Sequence, residues 1–174
     1  MTAFSACLAV EQKSKRLLLP FVLERFGHAP EEVPHTYDAQ TQGDWIVTRQ
    51  DGYRFYVELK AEAETTGNLF LETVSNWHTT RYGWLLTSHA DWLWYHFLDT
   101  NWLYLIPMGA LREWFWGDQD DVDAGACERY REVSQQKHEQ GNLTKGFLVP
   151  ANDVMREVRG TELVRLNGVV HGRI

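Results

Sequence analysis

The chain has little of what marks secreted or membrane-spanning proteins. Its two cysteines, Cys7 and Cys127, are too few for a disulfide framework and indicate a reducing compartment. The early apolar segment "AFSACLAV" precedes the nearby basic residues, which is the wrong order for a signal peptide. The uncharged apolar stretch at residues 101–111 is far shorter than the ~20 residues that a membrane-spanning helix needs. We therefore expect a soluble, cytoplasmic protein without a membrane partner.

Basic residues are also scarce. The chain has 17 lysines and arginines against 24 aspartates and glutamates, which gives a net charge of −7. Residues 28–72 hold nine acidic and three basic residues, whereas both ends of the chain are basic. Nucleic-acid-binding proteins usually carry an excess of basic residues, so this balance argues against a large phosphate-binding surface. It is compatible with a site in which bound divalent cations offset clustered carboxylates.

The chain does contain enough apolar residues for a folded core. Hydrophobic residues make up 44% of it, and the eight tryptophans argue against disorder. A length of 174 residues is typical of one domain, and we expect residues 1–174 to form a single domain.

Apolar periodicity and turn residues predict the order of the helices and strands. Helices are predicted over 5–26, 108–116, 126–139 and 152–158, and strands over 44–48, 53–60, 68–74, 91–98, 102–107 and 145–150. We expect Pro20 to end or kink the first helix, or to start a short second helix, and Asn152 or Asp153 to cap the last helix. This order predicts an α/β fold in which helices lie on both sides of a small mixed sheet.

The dipeptide "DG" at residues 51–52 is a hairpin signal that permits two loop lengths. A loop of two residues would place Asp44 opposite Leu59 and facing away from Glu58. A loop of three residues ends with Gly52 at the left-handed position that a type I turn with a bulge requires. The longer loop pairs Asp44 with Glu58.

In the longer-loop register, Asp44, Glu58 and Lys60 share one face of the sheet, because alternate strand residues point to the same side. Two neighbouring carboxylates repel each other, and nothing in a fold requires them there. A hard divalent cation such as Mg²⁺ or Mn²⁺ would remove the repulsion. Lys60 could orient an attacking water and stabilise charge on a phosphate. The opposite face carries the apolar residues Trp45, Val47, Phe55, Val57 and Leu59.

These residues resemble the signature of the PD-(D/E)XK, or restriction-endonuclease-like, nucleases. In that family an aspartate begins one strand and a Glu/Asp-x-Lys motif ends the next, as Asp44 and the "ELK" of residues 58–60 do here. Gly43 stands in place of the proline that precedes the aspartate in the family pattern. Phage-type members also carry "TGN", an apolar strand that ends in glutamate, and an "ADW" segment. This chain has "TGN" at 66–68, "LFLE" ending at Glu72, and "TSHADW".

The resemblance spans roughly residues 10–110 and implies a mixed sheet flanked by helices. It also implies Mg²⁺-dependent cleavage of DNA phosphodiester bonds, and many family members dimerise to cut both strands. By this likeness Asp44, Glu58 and the Leu59 carbonyl would hold the metal, Lys60 would assist the water, Glu72 would add a ligand, and Glu11 matches a further glutamate found near the metals in many members.

Basic residues of the two end segments are the expected contacts to the DNA backbone. They are Lys13, Lys15, Arg16, Arg156, Arg159, Arg165 and Arg173. Because they are few, we expect a modest salt dependence of DNA binding.

Simpler interpretations of the same residues stay open. Glu58 and Lys60 could form a surface ion pair, Glu72 could be a solvated strand end, and Glu11 could pair with Lys15 one helical turn away. The protein could also be a nuclease-fold binding or regulatory module without activity, which its acidic balance favours.

Overall fold

The structure is a computed structural model that describes residues 3–34, 42–117, 125–137 and 142–166. Its helices are α1 (Ala3–Phe26), α2 (Trp84–Thr87), α3 (Met108–Trp116) and α4 (Ala151–Glu157), with a 3₁₀ turn at Ala126–Arg129. Its strands are β1 (Glu31–Glu32), β2 (Trp45–Thr48), β3 (Arg54–Glu62), β4 (Asn68–Asn76), β5 (Arg81–Tyr82), β6 (Trp92–Phe97), β7 (Trp102–Pro107), β8 (Glu132–Lys137), β9 (Asn142–Pro150) and β10 (Glu162–Arg165). None of the helices in these ranges combines the length and the apolar character needed to cross a membrane.

The strands form two sheets. The larger sheet has the order β1-β2-β3-β6-β7-β10 and the smaller has the order β5-β4-β9-β8. The larger sheet is mixed, because β3 and β6 are parallel while its other neighbouring strands are antiparallel. The smaller sheet is antiparallel throughout. The predicted mixed α/β class is therefore confirmed.

The larger sheet separates two apolar cores. Helix α1 covers one face, where Leu18 and Val22 pack against the side chains predicted to face the core: Trp45, Val47, Phe55, Val57 and Leu59. The smaller sheet and helices α2, α3 and α4 cover the other face, where the buried residues include Leu69, Leu71, Leu93, Tyr95, Phe97, Ile106 and Phe115. Helices thus lie on both sides of the larger sheet, as predicted, but the sequence pattern did not predict the second sheet.

The predicted helix at 126–139 is wrong where the structure describes that segment. A short 3₁₀ turn comes first, and β8 follows, paired with β9 from Glu132 opposite Phe147 to Lys137 opposite Asn142. The edge of β9 offers main-chain hydrogen bonds to this polar segment, and such a partner overrides weak local preference. The structure also contains β5, α2 and β10, for which the sequence pattern predicted no element.

Two predictions about helix ends also need correction. Helix α1 continues through Pro20 to Phe26. Pro20 is exposed, so water can bond the carbonyl that its missing N–H leaves without a partner. Helix α4 begins after Pro150 without a side-chain cap, rather than at Asn152 or Asp153.

His96 on β6 is fully buried against α1. Its Nδ1 lies 2.9 Å from the Ser14 hydroxyl, and its Nε2 has no hydrogen-bond partner among the described residues. Burial lowers the pKa of His96 from 6.5 to about 4, so the imidazole is neutral at neutral pH.

We predict that His96 makes stability depend on pH in a definable window. The unfolded chain binds a proton at His96 near pH 6.5, whereas the folded chain does so only near pH 4. The contribution of His96 is therefore complete above pH 6.5 and is lost as pH falls toward 4. Urea unfolding of the wild type and of His96→Gln across this range should show the wild type losing stability relative to the variant. Parallel pH profiles would contradict the prediction.

Candidate functional site

The β2–β3 hairpin adopts the longer of the two loops considered above. The Arg49 N–H donates to the Tyr53 carbonyl at 2.8 Å, and Gly52 has a φ of 84°, in the left-handed region. Within the strands Trp45 pairs with Val57, which places the preceding Asp44 beside Glu58. The predicted register is therefore confirmed.

Gly43 is required where the PD-(D/E)XK pattern has proline. Its φ is 103°, which the proline ring cannot adopt. A Cβ at this position would also lie 2.7 Å from the Val57 carbonyl oxygen. The departure from the pattern therefore follows from the close approach of this chain segment to β3.

Glu58 is buried, with 7% of its surface exposed, and both of its carboxylate oxygens have partners. Its Oε1 lies 2.6 Å from the Lys60 ammonium, and its Oε2 accepts a hydrogen bond of 2.9 Å from the Ser88 hydroxyl. Arg112 of α3 in turn donates to the carbonyls of Leu85 and Ser88. Arg112 thereby holds the loop that orients Glu58.

Asp44 is held close to the "ELK" segment through the main chain. Its Oδ2 accepts a hydrogen bond of 2.7 Å from the Leu59 N–H. Burial and the neighbouring Glu58 carboxylate raise the pKa of Asp44, although Lys60 and this hydrogen bond oppose the shift. The ionised form of Asp44 is therefore less stable here than in water.

Lys60 neutralises the carboxylates around it. Burial alone would lower the pKa of its ammonium, but Glu58, Asp44 and Glu72 together raise it above the ordinary value. Lys60 consequently stays protonated at neutral pH. Its side chain still exposes 33% of its surface, so it is only partly enclosed by the protein.

A cavity of about 650 Å³ opens at Lys60 between the larger sheet, the smaller sheet and α1. Its charged lining consists of Glu11, Lys60, Glu62 and Glu72. Asp44 and Glu58 lie outside this lining. The predicted site residues that line the cavity are Glu11, Leu59, Lys60 and Glu72. Glu72 comes from β4 of the smaller sheet, and packing of the two sheets brings it within electrostatic range of Lys60.

Glu11 and Lys15 form the ion pair weighed as the simpler interpretation of Glu11. The Lys15 ammonium lies 3.2 Å from Glu11 and 3.1 Å from Glu32, and 12% of its side chain is exposed. Burial alone would lower the pKa of the Lys15 ammonium, but Glu32, Glu11 and Asp44 outweigh this effect and raise the pKa above its ordinary value. Lys15 thus sits between carboxylates beside Asp44, a placement that gives no support to its predicted role as a phosphate contact.

Tyr95 joins the two sheets at the rim of the cavity. Its hydroxyl donates to Glu62 of β3 and accepts a hydrogen bond of 3.0 Å from the Phe70 N–H of β4. Burial is the main reason that the pKa values of both Glu62 and Tyr95 are raised. Neither residue was a candidate in the sequence analysis. In the sequence, Tyr95 cannot be distinguished from the other aromatic residues of its strand.

The "TGN" and "ADW" segments have structural roles. "TGN" forms the turn into β4, with Gly67 at a φ of 80° and the Thr66 hydroxyl bonded to Asn68. Asp91 of "ADW" accepts a hydrogen bond of 2.7 Å from the Tyr56 N–H, where β6 begins to pair with β3. Ser88, two residues before "ADW", donates a hydrogen bond to Glu58 and is a site residue that the sequence pattern did not identify.

A metal ion requires several donor side chains close together. No group of three or more His, Cys, Asp or Glu side chains within the described ranges is gathered closely enough to hold one. Asp44, directly before β2, and Glu58 on β3 nevertheless offer hard oxygens side by side. Burial is the main reason that the pKa of Asp44 is raised, and the Glu58 carboxylate adds a repulsion that a divalent cation would relieve. The pair fits such a cation, and Leu59 follows Glu58 directly in the chain.

The remaining basic candidates lie apart from the cavity lining. Lys13, Arg16, Arg159 and Arg165 are exposed, and Arg156 is exposed but paired with Asp153 and Glu157. Arg173 lies outside the described residues.

A second cavity, of about 750 Å³, lies on the α1 side of the larger sheet. Its arginines are already paired, Arg25 with Glu162 at 2.7 Å and Arg49 with Asp51 at 3.3 Å. It lies on the opposite face from Lys60, and we do not assign it to the site.

Comparison with models of known families, with curated proteins and with solved structures finds no match for this chain.

We predict that Asp44→Asn raises the melting temperature in metal-free buffer at neutral pH. The substitution removes a carboxylate whose ionised form is disfavoured by burial and by Glu58. Calorimetry of the wild type and the variant in EDTA measures the effect. Asp51→Asn, on the exposed hairpin loop, is the matched control and should change stability little. A lower melting temperature for Asp44→Asn would show that the ionised carboxylate stabilises the fold.

Proposed function

We propose that this protein is a metal-dependent nuclease that hydrolyses DNA phosphodiester bonds and belongs to the PD-(D/E)XK, restriction-endonuclease-like group. The observation that supports the proposal best is the confirmed hairpin register, which places two carboxylates and a lysine on one face of adjacent strands. The lysine opens into a cavity that also receives Glu72 from the second sheet. A cytoplasmic location and a homodimer are part of the same proposal.

In this proposal each residue has a separate task. Asp44, Glu58 and the Leu59 carbonyl would hold a Mg²⁺ or Mn²⁺ ion, and Glu72 would add a ligand. Such an ion acts as a Lewis acid and stabilises charge on a phosphoryl oxygen. Lys60 stays protonated beside the carboxylates, from where it can orient water and support negative charge on the phosphate. Ser88 and Arg112 keep Glu58 in position.

The second candidate is a nuclease-fold binding module without activity. The observation in its favour is that both carboxylate oxygens of Glu58 already have partners within the protein. One oxygen forms an ion pair with Lys60, and the other accepts a hydrogen bond from Ser88. The net charge of −7 points the same way. Metal binding and cleavage, measured separately, distinguish the two candidates.

We predict that Mn²⁺ raises the melting temperature of the wild type, because a ligand that binds only the folded state stabilises it. Asp44→Asn should lose this response, since the variant lacks one of the two paired carboxylates. The measurement is a thermal titration of both proteins with MnCl₂, with Asp51→Asn as the control that keeps the response. An identical response in the wild type and Asp44→Asn would remove the metal from this position.

We predict that Lys60→Ala lowers the single-turnover rate of DNA cleavage by about 10²–10⁴-fold. Metal affinity, measured by Mn²⁺ calorimetry on the same samples, should stay the same or rise, because a protonated lysine is not a ligand. Lys60→Arg should restore little, since its planar group does not occupy the same point-charge position.

The matched control for Lys60 is Arg54→Ala, which removes a charge from the same strand. Arg54 is exposed and pairs with Glu31, away from the cavity. Cleavage by Lys60→Ala at the wild-type rate would refute its catalytic role and leave the ion-pair interpretation. A wild type that binds Mn²⁺ but cuts no DNA would favour the binding module.

A further inference from the structure

In the smaller sheet of this acidic chain, two segments that contain no acidic residue lie side by side. Residues 73–90 and 140–152 hold no aspartate or glutamate, although the chain has 24 of them. The described parts of these segments include the end of β4, all of β5 and all of β9, which are neighbours in the sheet. This edge is therefore the place on the smaller sheet where a polyanion would meet the least repulsion.

Two aromatic side chains are exposed at this edge. Trp77, in the turn after β4, exposes 52% of its surface, and Tyr82 on β5 exposes 59%. The turn is anchored, because the Trp77 N–H donates to the Leu143 carbonyl of β9 at 2.8 Å. Exposed rings on an anchored turn lose little conformational freedom when a flat ligand stacks on them.

Two cations accompany the aromatic rings. The Lys145 ammonium lies 3.5 Å from the centroid of the Trp77 ring, and Arg81 adjoins Tyr82 on β5. Tyr82 and Lys145 both pair with Val74 of β4, so the three side chains stand in one row across the sheet. Neither Arg81 nor Lys145 forms an ion pair with a carboxylate of the described ranges, in contrast to Arg25, Arg49 and Arg54.

We propose that Trp77, Arg81, Tyr82 and Lys145 form a binding surface for single-stranded DNA, which we call the stacking edge. Exposed rings bind the faces of unpaired bases, which a duplex hides, while the interleaved cations meet the phosphates. Charge complementarity selects a polyanion, and the exposed rings select unpaired bases over a duplex. The inference rests on the proposed action on DNA and specifies the form of DNA that is engaged.

The stacking edge lies close to the candidate site along β4. Val74, in the middle of the row, is two residues from Glu72, which corresponds to about 7 Å of strand. A strand bound at the edge would therefore pass near the cavity at Lys60. The structure assigns the edge to binding and the Lys60 site to chemistry, so the two are separable by mutation.

The test is binding of a fluorescein-labelled oligothymidylate, followed by anisotropy in EDTA so that no cleavage occurs. Trp77→Ala should weaken binding by about 5- to 150-fold, the range for loss of one base-stacking ring. Trp77→Phe should retain most of the affinity because it keeps a ring. Lys145→Gln should reduce the salt slope by about 0.7, the value for one phosphate of a single strand.

The chain offers a control of matched chemistry at the second cavity. There Arg49 lies over the ring of Tyr53, which exposes 57% of its surface, so the pair repeats the cation and ring of Lys145 and Trp77. The double variant Arg49→Gln/Tyr53→Ala should bind the oligonucleotide as the wild type does. The double variant Lys145→Gln/Trp77→Ala should not, and circular dichroism should show both to be folded.

The outcomes separate this inference from the proposed function. Equal weakening by both double variants, no binding by the wild type, or tighter binding of a duplex of equal length would each overturn the stacking edge. Binding of an acidic polypeptide as tightly as the oligonucleotide would assign the edge to a protein partner and also overturn it. Cleavage with Mn²⁺ is scored separately, so a nuclease without a stacking edge, or a binding edge without nuclease activity, would each be recognised.

Discussion

The balance of charge around Lys60 is the constraint on which the candidate site depends. Its ammonium lies among the carboxylates of Asp44, Glu58 and Glu72, and these raise its pKa although burial opposes them. Glu58 and Glu72 are buried and Asp44 is partly buried, so without this cation the three carboxylates would repel each other in a medium of low dielectric constant. This arrangement of charges therefore depends on three features: the β2–β3 register, the position of Ser88, and the packing of the second sheet.

Each of these supports has a local cause. The hairpin register follows from a three-residue loop with Gly52 in the left-handed region, and Gly43 lets the chain approach β3 closely. Arg112 donates hydrogen bonds to the carbonyls of Leu85 and Ser88 and so holds Ser88 in place. Tyr95 ties β4 to β3 through hydrogen bonds on both sides of its hydroxyl. Polar groups that a core normally excludes thus hold the two sheets in register beside the cavity.

Charge is also separated between the two ends of β4. Glu72 belongs to the acidic group at Lys60, whereas Val74 and the turn after β4 lie within the acid-free edge that carries Arg81 and Lys145. A net charge of −7 therefore does not describe the surface that a nucleic acid would meet. The overall balance reflects the acidic middle of the chain, and local placement decides which partner each surface fits.

Local patterns in the sequence determined much of the larger sheet. Alternation along 44–60 identified the core face of β2 and β3, and the "DG" turn identified the pairing of Asp44 with Glu58, because side-chain direction in a strand has a period of two. The sequence could not predict β8, since a polar strand forms only where a partner edge such as β9 is present. Only the family resemblance, and no local pattern, indicated that Glu72 lies near Lys60. Nothing in the sequence revealed that Arg112 supports Ser88 and Glu58, because these contacts join elements far apart in the chain. The sequence therefore determined which face the charged side chains of the hairpin share, whereas the cavity at Lys60 exists only because the second sheet packs beside the first.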